Sequence, residues 1–374
     1  MIKGQKISRA SKNTRILVIP LDWGLGHATR CIPIIKELLI QNLEVFIVAD
    51  GNNYILLKKE FPSTVFLRYK GYEIKYSRAK KFFSLKLFLQ FPKVSWRIYR
   101  ENKWLKNAIK EYGIDAVISD NRFGMFTKKV PCVYMTHQLH IETGNPFSNL
   151  IAQKIHYYFI KKFDQCWVPD LELNGLAGKL SHPKKMLLNT FYIGPLSRFQ
   201  SDTYPDTLFD LLISISGPEP QRTIFENTII AQLENFDGKA IFVRGLPSGN
   251  KQLQNFNHVQ IYNHLPAKEL NEMIIKSKMI ISRSGYTTIM DLAALKKKAI
   301  LVPTPGQSEQ QYLAGYLSSK GYFFAVDQDN FNLEKVLNDS MKFNYRSFNF
   351  PHEMYKKTVR EFVLSIKSRK FATQ

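Results

Sequence analysis

The sequence predicts an α/β protein made of two doubly wound halves with parallel sheets. Strand and helix patterns alternate along nearly the whole chain, the order that parallel strands joined by crossover helices require. The apolar runs fall into two sets separated by Gly194 to Asp206, where Gly194-Pro195 and Tyr204-Pro205 break both periodicities and polar residues cluster. A length of 374 residues with 44% hydrophobic content is enough to bury two cores. The expected domains are residues 1–195 and 196–374, with the last helix a candidate to pack back on the first domain.

In the first half, Arg15 to Leu21 reads as a short apolar strand, Cys31 to Gln41 as an amphipathic helix and Glu44 to Ala49 as the next strand. Ala116 to Ser119, Cys132 to Met135 and Cys166 to Val168 are further apolar runs. The second set begins at Leu211 to Ser216, continues with Ala240 to Val243 and Met279 to Ser282, and closes with Ala299 to Val302.

Composition narrows the class. The three cysteines, Cys31, Cys132 and Cys166, supply neither a disulfide framework nor a paired C-x-x-C spacing, so a reducing cytoplasm is expected. No apolar run approaches the roughly 18 to 20 residues that span a bilayer, and Met1 to Thr14 lacks the apolar centre of a signal peptide. The formal net charge of +22 calls for an anionic partner. Nucleic acid lacks support, because zinc-finger spacing, a basic zipper and an aromatic RNA-recognition signature are all missing. A membrane surface and a diphosphate substrate remain.

Three turns carry chemistry. The first strand runs into Asp22-Trp23-Gly24-Leu25-Gly26-His27-Ala28-Thr29-Arg30. Glycines in a βα turn can be there for geometry alone, but His27 would stand at the first turn of a helix, at the carboxyl end of the sheet where open α/β folds place ligands. The helix dipole favours a neutral imidazole there, which can accept a proton from a hydroxyl; capping the helix and binding a phosphate are the alternatives. The second turn is Gly217-Pro218-Glu219-Pro220-Gln221-Arg222-Thr223. It is either a stiff structural corner or a loop in which Gly217 allows close approach and Arg222 meets a phosphate oxygen.

The third stretch, Ile280 to Tyr312, is the most specific. A strand ends in Ser282-Arg283-Ser284-Gly285, a helix opens at Thr287-Thr288 with Asp291 about one turn on, and a second strand closes in Pro303-Thr304-Pro305 before Glu309-Gln310-Gln311-Tyr312. The glycine lets backbone approach a diphosphate, and the helix N-terminus directs N–H groups and a positive partial dipole at it. Asp291 could accept from a ribose diol, and Gln310 and Gln311 carry donors and acceptors for sugar hydroxyls.

These motifs resemble a GT-B fold glycosyltransferase, similar to the family 28 enzymes that include the bacterial N-acetylglucosaminyltransferase of peptidoglycan synthesis. The likeness covers most of the chain. It is strongest from His264 to Tyr322, clear at Gly24 to Pro33, and fainter at Met135-Thr136-His137-Gln138. It implies two Rossmann-like domains facing an interdomain cleft and an inverting, metal-independent transfer with no cofactor. A nucleotide-sugar donor would bind the C-terminal half and a glycan or lipid-linked acceptor the N-terminal half. Carried over, the donor site would comprise Gly217, Arg222, Leu265, Arg283, Ser284, Gly285, Thr287, Thr288, Asp291, Glu309, Gln310 and Gln311. The acceptor site would include Gly24, Gly26 and His137, with His27 as the base. The chain departs from the family where Asp291 replaces a glutamate, where Gly217-Pro218-Glu219-Pro220 replaces a Gly-Gly-Ser type loop, and where the His137 segment lacks a glutamate. A nucleotide-sugar hydrolase or 2-epimerase on the same fold, and a non-catalytic glycan- or membrane-binding protein, are the alternatives.

One further segment stands out. Arg78 to Lys110 carries ten Lys or Arg and Glu101 as its single acid, interleaved with Phe82, Phe83, Phe88, Phe91, Trp96, Tyr99 and Trp104. That is the pattern of a peripheral contact with an anionic membrane, here expected on its cytoplasmic face. An amphipathic helix with an aromatic core face has the same composition.

Overall fold

The structure, a computed structural model, describes residues 13–22, 24–69, 83–141, 146–199, 206–247, 249, 252–256, 258–347, 351 and 353–372. The chain divides into two compact units. The first comprises Met1–Gly175, Lys179–Gly194 and Glu353–Gln374, and the second Leu176–Gly178 and Pro195–His352.

Among the described residues, the first unit runs β1 (Arg15–Ile19), α1 (Leu25–Ile40), β2 (Glu44–Val48), α2 (Gly51–Glu60), β3 (Val65–Leu67), α3 (Phe83–Tyr112), β4 (Ala116–Asp120), β5 (Cys132–Met135), α4 (Pro146–Ile160), β6 (Gln165–Val168) and β7 (Thr190–Tyr192). Its parallel sheet has the order β3-β2-β1-β4-β5-β6-β7. Leu17 of β1 lies opposite Phe46 of β2 on one side and Val117 of β4 on the other. The strand order therefore reverses between β1 and β4, and the crevice beyond their carboxyl ends is where such folds bind ligands. Ile16 to Ile19 are fully buried. Each such side chain contributes roughly 1.5 to 3 kcal/mol of burial, which fixes the strand that launches the His27 turn.

The second unit runs β8 (Phe209–Ser214), α5 (Gln221–Leu233), β9 (Ala240–Val243), β10 (Val259–Tyr262), α6 (Ala267–Ile275), β11 (Ser277–Ser282), α7 (Tyr286–Ala294), β12 (Ala299–Leu301), α8 (Ser308–Ser319), β13 (Phe324–Ala325) and α9 (Leu333–Lys342). Its parallel order is β10-β9-β8-β11-β12-β13. The reversal falls between β8 and β11, where Ile213 meets Ile281. Both halves are thus doubly wound, as the alternation predicts. The last helix, α10 (Met354–Ala372), belongs to the first unit. Its Arg360 pairs with buried Glu37 of α1 at 3.0 Å, and Phe362 sets its ring edge-on to Trp167 at 5.4 Å between centroids.

The basic, aromatic segment forms the long α3. Ile98, Glu101, Leu105 and Ala108 recur at helical spacing and are buried. Glu101 accepts from Arg122 Nε at 2.9 Å and from the Gly124 amide at 3.1 Å, so the lone acid of the segment is a structural anchor. Trp104 packs on Tyr69 at the edge of the core, whereas Trp96 and Tyr99 are 56% and 65% exposed. Residues 78–82 lie outside the described residues, as do the side chains of Phe83, Phe88 and Phe91.

Candidate active site

α1 is preceded by Gly24 as its N-cap, whose φ of 73° belongs to the left-handed region that glycine adopts without strain. Around it an added Cβ would meet no atom within 4 Å, so the space beside the turn is open. The turn places His27 on the first turn of α1, with its side chain 17% exposed and Asp120, fully buried at the carboxyl end of β4, 3.0 Å from its Nδ1. Arg30, one turn further along α1, is buried against the same carboxylate: Nε lies 2.8 Å from Oδ2, and Nη2 also pairs with Oδ1. Arg30 Nη2 is 3.0 Å from His27 Nδ1, and Nη1 is 2.8 Å from Nδ1 of His137, just beyond β5. The two sides of the strand-order reversal therefore converge on one buried cluster, His27, Asp120, Arg30 and His137.

The charges follow from the burial. Desolvation would raise the Asp120 carboxyl, but Arg30 and then His27 outweigh it and hold it at about 2. Asp120 is an anion throughout the physiological range. Burial lowers the His27 pKa below its ordinary 6.5; Asp120 opposes that fall and Arg30 adds to it. The ring is neutral near pH 7, and a neutral imidazole oriented by a carboxylate has the chemistry to accept a proton. Asp120 and Arg30 escaped the reading of the sequence. An acid ending a buried strand beside the reversal was the available signal for the first, and the three-residue spacing from His27 for the second.

In the second unit, Gly217 has a φ of 112°, and a Cβ there would stand 3.4 Å from Thr304 Oγ1. That hydroxyl is buried and has no hydrogen-bond partner among the described residues. The Ser284 hydroxyl donates to the Gln310 carbonyl at 2.8 Å, and Gln310 Oε1 accepts from the Thr304 amide at 2.9 Å. Ser284 and Gln310 therefore tie the β11–α7 turn to the start of α8, a positioning task rather than a free grip on sugar. Gly285 caps α7 with an ordinary φ of −69° and no side-chain cap, and a Cβ on it would meet nothing within 4 Å. Thr287 and Thr288 on the first turn are half-buried, Leu265 is buried ahead of α6, Glu309 is half-buried and Gln311 exposed on α8.

Three expected contacts have other partners here. Arg283 is buried. Its Nη1 donates to the carbonyls of Val302 and Pro303, its Nη2 to the Gln221 carbonyl and Gln328 Oε1, and its guanidinium lies over Phe225 at 4.3 Å. It braces the loops from beneath. Arg222 pairs with Glu219 at 2.6 Å and with Glu226, which also takes Arg244 at 2.7 Å. Glu219 further accepts from the Thr223 amide at 3.2 Å, so a carboxylate caps the start of α5 where a phosphate was expected. Asp291 is buried, accepting from Ser197 Oγ at 2.7 Å and standing 3.6 Å from Arg198 Nε. Burial pushes its carboxyl up to about 6 against the pull of Arg198 and Ser197.

Residues 235–369 match the Glycosyltransferase family 28 C-terminal domain. An uncharacterized glycosyltransferase of Methanosarcina acetivorans is 24% identical over 331 residues, 82% of this chain and 84% of the relative. The UDP-N-acetylglucosamine--N-acetylmuramyl-(pentapeptide) pyrophosphoryl-undecaprenol N-acetylglucosamine transferase of Haemophilus ducreyi is 25% identical over 243 residues, 62% of this chain and 65% of that one. Among solved structures, the glycotransferase of kitacinnamycin superimposes with a TM-score of 0.62 at 11% identity over 96% of each chain. MurG of Acinetobacter baumannii does so at 0.53 and 12% identity over 95% of each. The chain is a glycosyltransferase with the GT-B fold. Within that class its similarity runs to family 28, through the match of its C-terminal part.

Proposed function

We propose that the protein is an inverting, metal-independent glycosyltransferase that moves a hexosyl or N-acetylhexosaminyl group from a UDP-sugar to a hydroxyl of a glycan or lipid-linked acceptor. The observation that carries this reading is the His27–Asp120 pair at the carboxyl edge of the first sheet. An acceptor oxygen attacks the anomeric carbon as its proton passes to His27, and the bond from that carbon to the diphosphate oxygen breaks with its electrons on the leaving nucleotide. Gly24, Gly26 and His137 flank the acceptor hydroxyl.

The leaving diphosphate is assigned to the amides opening α7, which complement the developing charge. Support comes from Gly285: neither its φ nor its surroundings demand glycine, whereas a phosphate approaching the backbone does. Thr287, Thr288 and Gly217 complete that site, Leu265 borders the base, and Glu309 and Gln311 face the sugar. Arg222, Arg283, Ser284, Asp291 and Gln310 act by holding the loops.

We further assign the acidic partner of the first unit to an anionic bilayer at the cytoplasmic face. No helix among the described residues is long and apolar enough to cross a membrane. On α3, Trp96 and Tyr99 are exposed with Arg100, Lys103 and Lys106, and α4 adds a stripe of Leu150, Ile151, Lys154 and Tyr158. Apolar side chains ringed by cations suit a headgroup boundary.

The test is a thermal-shift screen of UDP-, GDP- and TDP-sugars followed by transfer assays and NMR of the product anomer. A donor at 100 times its Kd should stabilise the fold by about 2.7 kcal/mol. Retained anomeric configuration would refute inversion, and free sugar or epimerised donor formed without acceptor would point to a hydrolase or epimerase.

A further inference from the structure

Arg30 reaches both histidines of the cluster from the core side, its side chain 2% exposed. A guanidinium has donors only, so in its 2.8 Å contact with His137 the Nδ1 of that ring must accept. The hydrogen of a neutral His137 is then on Nε2. At His27 the logic runs the other way. A carboxylate has acceptors only, and Asp120 Oδ2 lies 3.0 Å from His27 Nδ1, so the charge-assisted bond needs the hydrogen on Nδ1 and leaves the lone pair on Nε2. Arg30 Nη2 stands 3.0 Å from the same Nδ1 and competes for it. Its bonds to both carboxylate oxygens hold Asp120 in the orientation that wins.

The geometry points to Arg30 as a positioning residue that sets His27 and His137 in opposite tautomers and reserves proton acceptance for His27. Nδ1 of His137 is taken up by the Arg30 donor, so that ring presents its Nε2 hydrogen beside the acceptor hydroxyl and is a donor there, not a second base. The inference rests on the proposed transfer reaction, yet its first readout is independent of turnover. The charged or titratable groups facing His27 are Asp120 at the end of β4, Arg30 on its own helix and His137 beyond β5; Cys31 Sγ lies 3.9 Å from Asp120.

Nitrogen NMR of the full chain, labelled in its histidines and assigned with His27→Gln and His137→Gln, reads the tautomers directly. At neutral pH His27 should carry its hydrogen on Nδ1 and His137 on Nε2; the reverse at either ring overturns the proposal. Arg30→Met should release His137 into a mixture of tautomers and lower kcat about a hundredfold through misplacement. It should also move the acid limb of kcat/KM to higher pH, because a cation that disfavours imidazolium is gone. Arg30→Lys keeps the charge without the fork: the limb should stay near its original position while kcat falls. An Arg30→Met protein with an unchanged His137 tautomer and an unchanged limb removes the role. If that variant does not fold, the wild-type spectrum and the lysine variant decide. A chain that transfers no sugar but shows the opposed tautomers retires the transferase reading and leaves the assignment standing.

Discussion

In the proposed reaction His27 serves as the base because burial and Arg30 keep it neutral while Asp120 orients it. His27→Ala should lower kcat by a factor on the order of 100 to 10,000 with little change in donor Kd by calorimetry, since the donor is assigned to the other unit. A large loss of donor affinity instead would make His27 a phosphate ligand. In the wild type, kcat/KM should hold level as pH falls through 6.5, the ordinary histidine value, and drop only below it, because the active form is the unprotonated one. Asp291 has the opposite lesson. Its folded carboxyl sits at about 6, above the unfolded 3.8, so the native state holds the extra proton between those values. The stability it contributes is full below the unfolded value and is lost as pH rises through the folded one. Thermal unfolding from pH 4 to 7 should show that decline in the wild type and not in Asp291→Asn; parallel curves would mean that Arg198 and Ser197 already keep the carboxylate charged.

At the scale of elements, the start of α7 discriminates most cleanly between fold and function. Gly285→Ser places a good N-cap at a helix that lacks a side-chain cap in space that is empty. Stability should hold or rise by about a few tenths of a kcal/mol, while the serine hydroxyl occupies the amides assigned above to phosphate. Donor Kd, by titration calorimetry, should therefore rise at least about tenfold, equivalent to 1.4 kcal/mol; unchanged affinity would place the diphosphate elsewhere. The central strands were legible in the sequence because parallel strands covered on both faces read as continuous apolar runs. The four strands not read from the sequence, β3, β7, β10 and β13, are the four sheet edges; each is only two to four residues long and partly exposed, which leaves too short a pattern to read. At the site, glycines and His27 announce themselves locally, but Asp120 is 90 residues from Arg30 and nothing in a linear pattern joins them. The same limit applies to Arg283 and Arg222: their residue type suggested phosphate, and only packing shows what surrounds each guanidinium.

For the molecule as a whole, the +22 charge sets long-range attraction to any anionic surface, and in the proposed docking the exposed side chains of α3 and α4 decide where contact is made. The composition of residues 78–110 mixed two populations. Ile98, Leu105 and the Glu101–Arg122 pair build the core, while Trp96 and Tyr99 turn outward; α4 adds Leu150, Ile151 and Tyr158, each 45% exposed or more. A triple variant, Trp96→Ser, Leu150→Ser and Tyr158→Ser, removes large apolar groups without opening a cavity. Its circular dichroism and Tm should match the wild type, whereas a buried aromatic lost would cost roughly 3 to 5 kcal/mol. Sedimentation with vesicles should need acidic lipid in the wild type, since each basic residue near such a leaflet contributes about 1 kcal/mol. Binding should weaken as salt shortens the Debye length from about 10 Å at 0.1 M to about 3 Å at 1 M. The variant should lose the residual association that survives high salt and keep part of the salt-sensitive association, because charge attracts and apolar side chains hold. Equal binding of variant and wild type at every salt concentration would show that the α3–α4 face is not the one that meets the bilayer.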